Sequence, residues 1–134
     1  MSTQKIYIGR CTTDTLTYKI GLTKQTCWAR CKNTDYSIFA AGDFGWQLKA
    51  SELEFLESYV RMCFNAMTEV QYQVKTDYFT IKPNQTIDEQ WMTEWLFTFL
   101  DEGRAILNTK RAFSNTPSIK MNGKYIGYVM PYFY

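Results

Sequence analysis

The chain has 134 residues, 46% of them hydrophobic and 17% aromatic, with a formal charge of +2. That apolar content argues against disorder, the length suits one compact domain, and a mildly basic balance permits a phosphate-rich partner without demanding one. No histidine is present, which removes the commonest general base and the commonest transition-metal ligand.

In chain order, the first residues carry no apolar signal core, and no apolar run approaches membrane-spanning length. A cytoplasmic protein with reduced thiols is the expectation, with no membrane partner. Lys5 to Arg10 and Thr17 to Leu22 read as two strands joined by a turn around Asp14, an opening hairpin. Thr23 to Lys32 reads as a helix and Tyr36 to Ala41 as a third strand, followed by a loop containing Gly42 and Gly45. Cys27 and Cys31 stand one helical turn apart, and the four cysteines offer no zinc-like spacing.

Ser51 and Glu54 fit a capping box that opens the clearest helix. Its stripe is Leu53, Leu56, Val60, Cys63, Phe64 and Met67, at steps of three and four. Gln71 to Ile81 reads as strand, broken by Pro83. Thr86 and Glu89 suggest a second box, opening a helix with Trp91, Trp95, Leu96, Phe99 and Leu100. Gly103 either ends that helix or lies inside a longer one reaching Leu107. Asn122-Gly123, between Ile119–Met121 and Lys124–Ile126, is a hairpin signal. The fold class is therefore α+β: a small, mostly antiparallel sheet flanked by helices, with a C-terminal helix plus β-hairpin. Residues 1–82 read as a core and 83–134 as an extension packed into the same domain.

Within the capped helix, Glu57 falls at the edge of the apolar stripe, where a carboxylate is costly without a cation or hydrogen bonds. Ile6-Tyr7-Ile8 is followed by Tyr18-Lys19-Ile20-Gly21, then by Arg30, by Leu56-Glu57 with Phe64 seven residues on, and by Asp77-Tyr78-Phe79. In that order and spacing the chain resembles the GIY-YIG nucleases over about residues 4–82, and more narrowly the branch whose second motif reads K-I-G. Small members of phage or mobile-element type are the expected relatives.

The resemblance implies a hydrolase acting as a metal-dependent endonuclease on nucleic acid, DNA rather than RNA. Tyr7 then corresponds to the first-motif tyrosine, able to be deprotonated or to relay a proton, and Lys19 takes the place of the second-motif tyrosine. Arg30 would hold the scissile phosphate, and Glu57 would bind Mg²⁺ or Mn²⁺ as the indispensable protein ligand. The histidine many members carry after the arginine is absent, and Tyr36 is the candidate to fill its space. Lys24, Lys32, Arg61, Lys110 and Arg111 are candidate nucleic-acid contacts. The alternative is a catalytically weak module that binds nucleic acid or a host protein, using Trp91, Trp95, Phe113 and the Tyr132-Phe133-Tyr134 tail. A structural protein without a site, and a homodimer, also remain open.

Overall fold

The computed structural model describes residues 3–71, 77–83, 85, 87–120 and 125–127. Strand β1, Lys5–Cys11, is buried along almost its whole length and forms the middle of the sheet. It pairs antiparallel with β2, Thr17–Thr23, in a register that sets Tyr7 opposite Gly21 and Gly9 opposite Lys19. Asp14 closes the turn between them, its carboxylate accepting from the Leu16 amide at 2.9 Å and from the Thr17 hydroxyl at 2.8 Å.

Helix α1 spans only Cys27–Cys31. The helix expected from Thr23 is shorter because Thr23 is held in β2 opposite Lys5, and Thr26 caps α1 by accepting from the Ala29 amide. Strand β3, Tyr36–Asp43, takes in Gly42, which the sequence placed in a loop, because Gly42 and Asp43 pair with Ile6 and Lys5.

Helix α2, Ala50–Asn65, buries Leu53, Leu56, Val60 and Phe64. Its capping is shifted from the expected Ser51 and Glu54. Lys49 is the N-cap, and its amide donates to Glu52 at 2.8 Å. The strand expected over Gln71 to Ile81 is two strands among the described residues, β4 (Val70–Gln71) and β5 (Tyr78–Ile81).

Helix α3 runs from Glu89 to Phe113, capped by Asp88, which accepts from the Trp91 amide. The expected cap, Thr86, lies outside the described residues. Gly103 sits inside α3 because a Cβ there would stand 2.7 Å from Leu56 Cδ2; its absence lets α2 and α3 approach. The Asn122-Gly123 turn also lies outside the described residues. Ile119 and Lys120, expected as one arm of a hairpin, are not strand; their amides are held by Asn108 and Gln47 side chains. The other arm, β6 (Tyr125–Gly127), pairs with β3.

The result is an α+β fold around one antiparallel sheet in the order β4-β5-β2-β1-β3-β6. Ile6, Ile8, Tyr18, Ile20, Phe39 and Phe79 share one buried cluster with Leu56 and Phe64 of α2 and Leu96, Phe99 and Leu107 of α3. A second, smaller cluster joins Tyr7, Tyr36, Ile38 and Ala41 to Cys27 of α1. Alternation along β1 accounts for this division, with Ile6 and Ile8 in one cluster and Tyr7 in the other. Among the described residues no helix is long and apolar enough to cross a membrane.

Candidate active site

Two glycines make room for two tyrosines. A Cβ on Gly21 would lie 2.4 Å from the Tyr7 hydroxyl oxygen, and one on Gly9 would lie 2.9 Å from Tyr36 Cδ2. With both side chains absent, the Tyr7 and Tyr36 rings lie nearly parallel, 5.9 Å between centroids, and their hydroxyls are 3.1 Å apart.

Tyr36 also donates to the Arg30 carbonyl at 3.3 Å. A phenol has one proton, so Tyr7 must be the donor to Tyr36. The chain of bonds runs from Tyr7 to Tyr36 to the backbone that carries Arg30. Tyr7 is fully buried. Burial, followed by the bond to Tyr36, pushes its pKa well above the ordinary tyrosine value. Burial and the bond to Tyr36 thus favour the protonated hydroxyl, against the pull of Arg30.

Lys19 projects from β2 with its Nζ 4.6 Å from the Tyr36 ring centroid and 5.8 Å from that of Tyr78. Strand β5 pairs with Thr17, Tyr18 and Lys19. Beyond them, Gly21 to Thr23 have no strand partner on that side among the described residues.

Glu57 lies on α2, its side chain 16% exposed. Its Oε1 accepts from Arg61 Nη1 at 2.8 Å, and the same nitrogen reaches Asp77 Oδ1 at 2.6 Å. Its other oxygen accepts no hydrogen bond among the described residues. Burial raises the Glu57 pKa, Arg61 and Lys19 oppose the rise, and Asp77 adds to it.

Electrostatics ties these residues into one neighbourhood. The Tyr7 hydroxyl feels both the Arg30 guanidinium and the Glu57 carboxylate, and Glu57 feels Lys19. Arg30 itself makes no ion pair among the described residues. Each of the other arginines does: Arg10 with Glu89, Arg61 with Glu57 and Asp77, Arg104 with Asp101, and Arg111 with Glu52.

Comparison of the chain with known protein families, with curated proteins and with solved structures finds no match.

The expected nucleic-acid contacts divide. Lys24 is exposed, and Lys32 is exposed with its Nζ 4.7 Å from the Trp28 ring centroid. Arg61 is engaged by two carboxylates. Arg111 is a correction. It is buried, donates to both Glu52 oxygens, and also binds the Gln47 and Pro117 carbonyls. Those bonds lock α3 to the start of α2 and leave no guanidinium face for a phosphate. Lys110, its neighbour, is exposed and stands 5.0 Å from the Phe55 ring centroid. Phe55 is two residues before Glu57, about 200° around the helix, so Lys110 serves the far side of α2.

Sequence reading gave no role to Asp77 or to the Glu52–Arg111 pair. The four-residue step from Glu57 to Arg61 was the available signal for the first ion pair. Nothing local marks Glu52 and Arg111, which are 59 positions apart. Among the described residues no three Cys, Asp or Glu side chains gather as a metal cage. The chemistry of the donors nonetheless suits a hard cation: Mg²⁺ commonly uses one or two carboxylates and completes its shell with water and phosphate oxygens.

Proposed function

We propose that the chain is a divalent-metal-dependent endonuclease that hydrolyses phosphodiester bonds of nucleic acid, DNA rather than RNA. The observation that carries this reading is Arg30: an arginine without an acidic partner among the described residues, within electrostatic reach of a buried tyrosine that also feels Glu57. Arg30 holds two non-bridging phosphate oxygens in a planar fork. Lys19 adds positive charge on the same side. Glu57 would hold Mg²⁺ or Mn²⁺ through its free oxygen, and the bound ion supplies charge to offset that developing on the leaving oxygen.

Water attacks phosphorus and gives up a proton to solvent as one P–O bond forms, the P–O bond to the leaving oxygen breaks, and that oxygen takes a proton from solvent. Tyr7 is fully buried and does not touch the attacking water; it supports the site from behind through its bond to Tyr36. Its own proton points to Tyr36, and the chain ends on a peptide carbonyl, which takes no proton. Tyr36 therefore positions Tyr7 instead of carrying its proton away.

The test is cleavage of supercoiled DNA and of RNA with Mg²⁺ or Mn²⁺. Arg30→Ala and Glu57→Gln are each expected to lower the rate by roughly a hundredfold or more. Cleavage by Glu57→Gln at the wild-type rate under limiting Mg²⁺ would remove Glu57 as the ligand. One observation favours the second reading, a binding module without turnover: Arg61 already pairs with both Glu57 and Asp77. If the wild type cuts nothing with either metal, that reading takes its place.

A further inference from the structure

We infer that α1 presents a stacking platform for unpaired bases, so that the chain engages single-stranded nucleic acid in preference to continuous duplex. The inference deepens the nucleic-acid reading of Arg30 and does not depend on cleavage. Three cations, Lys24, Arg30 and Lys32, fall within residues 24–32, and no acidic residue does. None of the three forms an ion pair among the described residues. Trp28 stands among them, 40% exposed, with the Lys32 ammonium over its ring.

Trp28 makes no contact with another aromatic ring among the described residues, whereas Trp91 and Trp95 are packed against each other and Trp95 against Phe99. Little in the fold explains an indole held out beside an ammonium. A nucleotide explains both: its base stacks on the indole while its phosphate meets Lys32, one turn on. Duplex DNA offers the phosphates but keeps its bases stacked inside. An acidic polypeptide would satisfy the cations and leave Trp28 without a role.

The experiment is fluorescence anisotropy in EDTA, so that no strand is cut. The probes are a labelled thymidine homopolymer, a duplex of the same length, and polyglutamate. The single strand is expected to bind roughly tenfold more tightly than the duplex. Trp28→Ala abolishes that preference and Trp28→Phe keeps most of it. Lys32→Ala weakens both nucleic acids alike and lowers the salt slope by about one. Three results overturn the inference: equal binding of single strand and duplex, single-strand binding indifferent to Trp28→Ala, or polyglutamate binding as tightly as the oligonucleotide. Because the assay contains no metal, a failure here leaves the cleavage reading standing, and a failure of cleavage leaves this result standing.

Discussion

A methyl group at position 21 would stand 2.4 Å from the Tyr7 hydroxyl oxygen and 2.5 Å from the ring carbon that bears it. Tyr7 is fully buried and cannot swing aside. Gly21→Ala is therefore expected to cost about 1–3 kcal/mol in urea unfolding, the range for overpacking. Tyr7→Phe in the same background does not rescue it, because the ring carbons remain in conflict. A second prediction at this scale concerns pH. Burial raises the Glu57 pKa above its ordinary 4.5, so just above that value the folded state keeps a proton that the unfolded chain has lost. The stability from this group is present below the window and declines as pH rises through it. Glu57→Gln removes that dependence. Stability measured against pH should favour the variant increasingly on the alkaline side of the window; parallel curves would show that Glu57 is not desolvated. The position of Glu57 was legible, since its place beside the apolar stripe follows from helical periodicity. That Asp77 shares Arg61 with it was not, because only the folded sheet brings the residue before β5 to α2.

Helices α2 and α3 meet where Gly103 has no side chain. In a solvated helix interior, Gly→Ala gains about 1 kcal/mol. Here the new methyl would press on Leu56 Cδ2 at 2.7 Å, and Leu56 is fully buried. Gly103→Ala is expected to lower the melting temperature despite the better helix propensity; a rise would show that Leu56 can repack. The other end of the same contact is the Glu52–Arg111 pair, with side chains 11% and 9% exposed. Removing one partner leaves a buried charge and carbonyls without a donor, so Arg111→Ala is expected to cost about 3–5 kcal/mol. Chemical denaturation measures the loss, and nucleic-acid affinity of the folded fraction should not change. The sequence showed that both helices exist and which faces they bury. It misplaced their caps, because Ser and Thr are only candidates until the chain path shows which residue turns into the helix. Lys49 became an N-cap through the reach of Glu52, which a pattern built on Ser51 passes over.

Across the whole molecule, α3 completes the core that α2 begins. Met92, Leu96, Phe99, Leu100 and Leu107 are buried in the same cluster as the sheet's inner face, a contribution on the order of 10 kcal/mol by area burial. That is comparable to the entire stability of a typical domain. A chain ending at residue 82 is thus expected to lack cooperative thermal unfolding by circular dichroism, and a sharp transition would show an autonomous core. The α+β class, the antiparallel sheet and the flanking helices were legible because strand and helix periodicities are local. The pairing of β6 with β3 was not, since the Asn122-Gly123 signal speaks for a neighbour in sequence and says nothing about a distant strand. The stacked tyrosine pair was half legible: Tyr7 and Gly21 stood out by their motif, but the stacking of Tyr36 depends on Gly9, a strand glycine with no mark of its own.

The smaller cluster contains a thiol. Cys27 is the buried residue of α1, fully shielded, and burial pushes its pKa to about 11. An alkylating reagent needs both access and thiolate, and the folded protein denies it both. Cys31, one turn later, is partly exposed. Alkylation at Cys27 must then wait for α1 to lift from the sheet. The ratio of its rate to that in the unfolded chain reads the fraction of time this short helix is detached. The molecule thus carries an internal clock for local opening at the helix that bears Arg30, legible by mass spectrometry from the mass the reagent adds.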